Sequence, residues 1–146
     1  MPDQDSRAID FIFFDIGGTL GDRDAHTGKL VRFPSTIPML EKIRDTLHVP
    51  IGIITTLGPL KKEEGLALLH DAGLDGFLDP HGFVCEHDNH EVAKPSPGIY
   101  RFAANQVGVP VGRCLFIGEN LVEVAGAITA GMQGLLKPCP PGRDLG

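Results

Sequence analysis

Asp15, Thr55, Lys94 and Glu119 are the residues of this chain whose types and spacing could do chemistry together. Asp15 ends the run Phe11-Ile-Phe-Phe and is followed by Ile-Gly-Gly18-Thr19-Leu20. An apolar, aromatic run of this kind reads as a strand buried on both faces, so its terminal acid sits at a strand mouth, where open α/β sheets hold ligands. Asp-x-Gly-Gly is equally good turn chemistry, and alone it does not decide between the two. Thr55 closes a second apolar run, Pro50-Ile-Gly-Ile-Ile, and Glu119 follows a third, Cys114-Leu-Phe-Ile-Gly118. Lys94 lies in a loop ahead of a helix start. If the strands are parallel, all four residues converge on one sheet edge. Carboxylates there can bind a hard cation through oxygen, while a lysine and a hydroxyl hold phosphoryl oxygens.

The elements that must position these groups follow from the pattern. Residues 21–33 are polar and turn-rich and read as a hairpin or flap beside the mouth of the first strand. Ser35 or Thr36 can cap a helix with Ile37, Leu40, Ile43 and Leu47 on one face. A second helix spans Lys61 to Ala72, with Leu66 and Leu69 inward and Gly73 as its stop. Short apolar pieces around Phe77 and Phe83 suggest a third strand interrupted by Pro80 and Gly82. Ser96 and Pro97 start a helix lined by Ile99, Phe102, Ala103 and Val107 and ended by Gly108. After Gly118 a further helix runs to Gly131, and Gly134–Lys137 supplies a last strand before a Pro-rich tail. Strands alternating with helices predict an α/β fold, a single doubly wound, mostly parallel sheet covered by helices on both faces. The 146 residues suit one domain, 1–146, with no linker or repeat.

Composition narrows the function. A formal net charge of -6 and few clustered basic residues argue against a nucleic-acid surface. The N-terminal Met-Pro-Asp-Gln-Asp-Ser-Arg lacks the layout of a signal peptide, and no apolar run reaches membrane-spanning length. A soluble, cytoplasmic protein without membrane partners is expected. Cys85, Cys114 and Cys139 have no paired spacing, so no disulfide framework is expected. Thr27-Gly28-Lys29 lacks the glycine spacing and following hydroxyl of a P-loop. His81, Cys85, His87 and His90 have metal-ligand chemistry, but a surface loop rich in His and Asp is the better default.

The chain resembles the haloacid dehalogenase (HAD) superfamily, most of whose members are magnesium-dependent phosphatases. The resemblance follows four ordered motifs: Asp15-Ile-Gly-Gly-Thr-Leu, Ile53-Ile-Thr55, Lys94-Pro95 and Ile117-Gly-Glu119-Asn-Leu-Val-Glu123. It implies a HAD-like Rossmannoid core with the Asp15 strand at its centre. By resemblance, Asp15 would be a nucleophile forming an aspartyl phosphate. Thr55, Thr56 and Lys94 would bind the phosphoryl group. Mg²⁺ would be held by Asp15, the carbonyl of Gly17 and Glu119, with Glu123 nearby, through water. A helix beginning directly after Gly118 would make Glu119 and Glu123 an i, i+4 pair on one face.

The sequence departs from the family at chemical positions. The phosphatases usually carry an acid two residues after the nucleophile, where Gly17 stands here. A positioned acid–base group contributes about 10²–10⁴-fold, so leaving groups that depart without a proton are favoured. Asp22 or Asp24 in the flap could substitute. Glutamates stand where the family's last motif has aspartates, which alters the reach of any Mg²⁺ ligand. Dehalogenase members also lack the second acid, but they close their sites with a helical cap. About forty residues separate Asp15 from Thr55, and about forty more separate Thr55 from Lys94, so neither interval has room for a cap. An open site suits a phosphorylated small molecule or macromolecule, a protein partner, or a homo-oligomer serving as lid. The readings that compete are a Mg²⁺-dependent phosphatase weakened by Gly17 and an inactive HAD-like binding or regulatory module. A third is a long-lived aspartyl-phosphate acceptor.

Overall fold

The computed structural model describes residues 8–138; the Pro-rich tail beyond Pro138, with Cys139, lies outside them. Five parallel strands form one sheet: β1 (Phe11–Phe14), β4 (Ile51–Thr55), β5 (Leu78–Cys85), β6 (Cys114–Gly118) and β7 (Gln133–Leu136). Their spatial order is β5-β4-β1-β6-β7. The chain leaves β1 toward one side of the sheet and returns to the other, so the switch point falls at β1, where open sheets leave a crevice.

Alternation along β1 explains its unbroken apolar run. Ile12 and Phe14 face a core layer containing Leu40, Ile53, Leu69 and Phe83. Phe11 and Phe13 face the opposite layer, with Ile54, Tyr100, Phe116 and Val124. A side chain buried in this way contributes about 1.5–3 kcal/mol, so neither face tolerates a polar residue until the strand ends at Asp15.

Helices α1 (Thr36–Lys42) and α2 (Lys62–Asp71) cover the first layer, and α3 (Pro97–Val107) and α4 (Leu121–Ala130) cover the second. Between β1 and α1 stands an antiparallel hairpin of β2 (Gly21–Arg23) and β3 (Leu30–Arg32), the expected flap. No second domain is inserted between Asp15 and Thr55 or between Thr55 and Lys94. Among the described residues no helix is long and apolar enough to cross a membrane.

Several local expectations are corrected. The chain after α1 winds into a π-helical turn, Ile43–Leu47, and the wider turn carries Leu47 off the apolar face, leaving it 58% exposed. Neither Ser35 nor Thr36 caps with its side chain; the Thr36 hydroxyl is buried and donates to Leu20 O at 2.7 Å. In α2 the inward face is Gly65 and Leu69, and Leu66 is 39% exposed. A Cβ on Gly65 would lie 2.8 Å from Leu57 Cδ2, so glycine lets the helix approach where a leucine would stand too tall. Phe77 ends a 3₁₀ turn, Asp75–Phe77, and one strand, β5, runs from there through Phe83, its pairing with β4 skipping between Leu78 and Phe83 around Pro80.

One close approach matters for the site. A Cβ on Gly126 of α4 would lie 2.4 Å from Pro95 O, so α4 presses directly on the Lys94-Pro95 loop. Gly126→Ala is expected to force the two apart and lower stability by about 1–3 kcal/mol, the usual cost of overpacking, read as a lower urea midpoint.

Candidate active site

The strand mouths gather the expected residues. Asp15 follows β1 directly, its N–H donating to Ile117 O of β6 at 3.0 Å, which fixes its backbone to the sheet. Its side chain meets Lys94 Nζ at 2.7 Å. The same ammonium lies 2.7 Å from Glu123 Oε1 and 5.3 Å from the centre of the Phe116 ring. The Lys94 side chain is 1% exposed, so its charge is held by two carboxylates and a π face and not by water. Tyr100 packs edge-on against Phe116 and donates its hydroxyl to Glu123 O at 2.6 Å, fixing the turn of α4 that carries the carboxylate. Burial pushes the Tyr100 phenol well above its ordinary range, which keeps it a donor.

Glu119 approaches from the other side. The loop after Asp15 turns through Gly18 in the left-handed region (φ 77°), and a Cβ there would lie 2.6 Å from Glu119 Cγ. The Glu119 side chain therefore occupies the space that a side chain at residue 18 would fill. Thr19 joins the two loops by accepting the Glu119 N–H at 3.1 Å. Asn120 is the N-cap of α4 and accepts the Glu123 N–H at 3.2 Å. Glu119 thus precedes the helix and does not form the expected i, i+4 pair with Glu123. The cap sends one acid toward Gly18 and the other to Lys94.

Thr55 is buried at the end of β4, and Thr56 after it is exposed. The loop that follows is held by Glu86, which sequence reasoning missed. Its buried carboxylate accepts the N–H of Leu57 at 2.8 Å and of Gly58 at 2.8 Å. Burial opposes its charge, but these N–H groups outweigh it and lower the pKa. An acid at the end of β5, in register with the other strand mouths, was the available signal.

The flap acids do not replace the missing one. Asp24 closes the hairpin turn, accepting N–H groups from His26 at 2.7 Å and Thr27 at 3.0 Å, and these bonds depress its pKa. Asp22 pairs with Val31, whereas Arg23 pairs with Leu30, and it is Arg23 and Leu30 that line the cavity beside Gly17. Strand alternation turns Asp22 to the other face.

His81, Cys85, His87 and His90 are not brought together. Cys85 is buried in the core. The His87 ring lies 2.8 Å from Leu60 O and 2.9 Å from Glu91 Oε1, and the Leu60 carbonyl and Glu91 together raise its pKa. His81 is exposed on β5, and His90 is exposed on the turn after it. Among the described residues no group of three or more His, Cys, Asp and Glu side chains is arranged to hold a metal ion.

A family model described as haloacid dehalogenase-like hydrolase matches residues 25–131, and the chain belongs to this family. The match begins downstream of Asp15, so that residue's assignment rests on its place in the fold. The 5-amino-6-(5-phospho-D-ribitylamino)uracil phosphatase of Escherichia coli (strain K12) is 34% identical over 97 residues, 63% of this chain and 41% of that protein. The phospholysine phosphohistidine inorganic pyrophosphate phosphatase of Rattus norvegicus is 32% identical over 90 residues, 61% of this chain and 32% of that protein. The chain therefore spans less than half the length of these relatives. A HAD family hydrolase from Deinococcus radiodurans R1, solved with bound phosphate and sodium, shares the fold at a TM-score of 0.67 and 20% identity, covering 92% of this chain and 84% of that one.

Glu86 gives the pH test. Its folded pKa is depressed, so its contribution is present above the ordinary value of about 4.5 and is lost as pH falls through the folded value. Glu86→Gln is expected to cost about 1.5–3 kcal/mol at pH 7, the worth of hydrogen bonds to a charged acceptor. The gap from wild type in urea unfolding should close as pH falls from the ordinary value through the lower folded one.

Proposed function

We propose that this protein is a Mg²⁺-dependent phosphohydrolase that works through an aspartyl phosphate on Asp15 and acts on phosphates with good leaving groups. The observation that carries the reading is the buried Lys94 ammonium fixed 2.7 Å from Asp15 at the end of the central strand. Membership of the hydrolase family and two phosphatase relatives support it.

The donor set suits magnesium. Asp15, the Gly17 carbonyl and Glu119 would supply oxygen ligands, and Glu123 would help hold the ion through water. Mg²⁺ commonly takes one or two carboxylates and keeps several waters, which a site without a three-residue cage allows. Charge points the same way. Asp15 and Glu123 share the Lys94 ammonium, two carboxylates to one cation, a balance that repels a phosphate dianion until a cation joins. Bound there, Mg²⁺ would screen this repulsion and polarise the phosphoryl oxygens.

The chain's own groups account for the rest. An Asp15 carboxylate oxygen attacks phosphorus, the bond from phosphorus to the leaving oxygen breaks, and Asp15 becomes an acyl phosphate. Lys94 stays beside Asp15 and offsets the negative charge that gathers on the phosphoryl oxygens. Thr55 and Thr56 bind those oxygens from the next strand mouth. With Gly17 in place of an acid, the leaving group departs as an anion, which aryl and acyl phosphates allow. Water then attacks phosphorus, releases phosphate and restores the Asp15 carboxylate. With no neighbouring base this second step is slow, so phosphoenzyme accumulates.

Two variants test the reading. Phosphate release from aryl and acyl phosphates should require Mg²⁺ and fall to background in Asp15→Asn; equal release from both proteins would overturn it. Gly17 has no heavy atom within 4 Å of where a Cβ would stand and is not in the left-handed region, so an aspartate fits there. Gly17→Asp should raise kcat on alkyl phosphates by about 10²-fold or more.

A further inference from the structure

Beside the phosphoryl-binding residues lies a cavity of about 180 Å³ lined by Ile16, Gly17, Arg23, Leu30, Thr55, Thr56, Leu57, Leu60 and Leu68. Thr55 and Thr56 belong to both, and Gly17 follows Asp15 by two residues, so a ligand with its phosphoryl group at Asp15 extends into this space. The other walls are leucine and isoleucine side chains, with one exception. Among the described residues Arg23, the last residue of β2, is the only cationic one lining the cavity. Its Nε–H donates to Gly28 O across the hairpin at 3.0 Å, which orders the side chain. Among the described residues it pairs with no carboxylate, although Asp22 and Asp24 flank it in sequence.

A guanidinium held by one backbone bond at the rim of an apolar pocket suits an anionic oxygen group on the ligand. The size is informative too, since an apolar cavity of about 150 Å³ accepts one benzene ring. Resting on the phosphohydrolase reading, we propose that this cavity is the leaving-group subsite. It takes a compact, ring-sized apolar body whose far end carries a carboxylate or second phosphate paired with Arg23.

Non-hydrolysable ligands separate this idea from the catalytic one. Benzylphosphonate, 4-(phosphonomethyl)benzoate and the para bisphosphonate of the same ring would be titrated into wild type and Arg23→Gln with Mg²⁺, by calorimetry. Wild type should bind at least one of the doubly anionic ligands about tenfold or more tighter than benzylphosphonate, and the tighter of the two identifies the anion. In Arg23→Gln that preference should shrink to near unity. Equal affinities in wild type, no binding of any ligand, or a preference that survives in Arg23→Gln would each overturn the subsite. Preferential, Arg23-dependent binding without turnover of any aryl or acyl phosphate would keep the subsite and defeat the hydrolase reading.

Discussion

A lysine ammonium almost fully removed from water is the constraint on which this structure turns. Desolvating such a charge costs several kcal/mol, and the cost is met only if partners are held in place around it. Asp15 and Glu123 are those partners, and Phe116 supplies the π face below. Much of the surrounding architecture can be understood as what keeps them there. Tyr100 fixes the Glu123 backbone, Asn120 caps the helix that carries it, and the β1–β6 ladder fixes Asp15. Gly126 lets α4 close on the Lys94 loop. Removing the ammonium would leave two facing acids without their shared counter-charge.

The central strand was legible because burial on both faces leaves an apolar run that can hardly be anything else. Asp15, Thr55, Lys94 and Glu119 were legible because parallel strands place their ends together, whatever the distance in sequence. The features that escaped are those that depend on packing. A π-helical turn moved Leu47, and the closeness of α2 to Leu57 chose Gly65 over Leu66; neither leaves a mark in hydrophobic period. The split between Glu119 and Glu123 depended on which residue caps α4, and Asn120 was not weighed as a cap. Glu86 and Arg23 lay in stretches without a motif, and only the folded chain shows the backbone amides and the cavity they face.

Gly17 separates positioning from proton transfer. On the proposed reading, the charges that would bind and orient a phosphoryl group are assembled around Asp15, while the position that would hand over a proton has no side chain and no heavy atom within 4 Å of where a Cβ would stand. The flap that might have compensated spends Asp24 on its own turn and faces Asp22 away. The hairpin instead presents an arginine, which can recognise charge but cannot donate a proton at neutral pH. On the proposed function, selectivity would fall on the leaving group, through its acidity and through what it carries.

The pairing of Lys94 with Asp15 spans 79 residues, and the Thr19–Glu119 hydrogen bond spans 100. Contacts of such separation close large loops, and their entropy is recovered only once both halves of the sheet are in place. No single βαβ unit contains Asp15 and the Lys94 ammonium together. The site therefore draws on the whole sheet at once: a chain missing either flank of β1 would keep Asp15 but lose part of what is arranged around it.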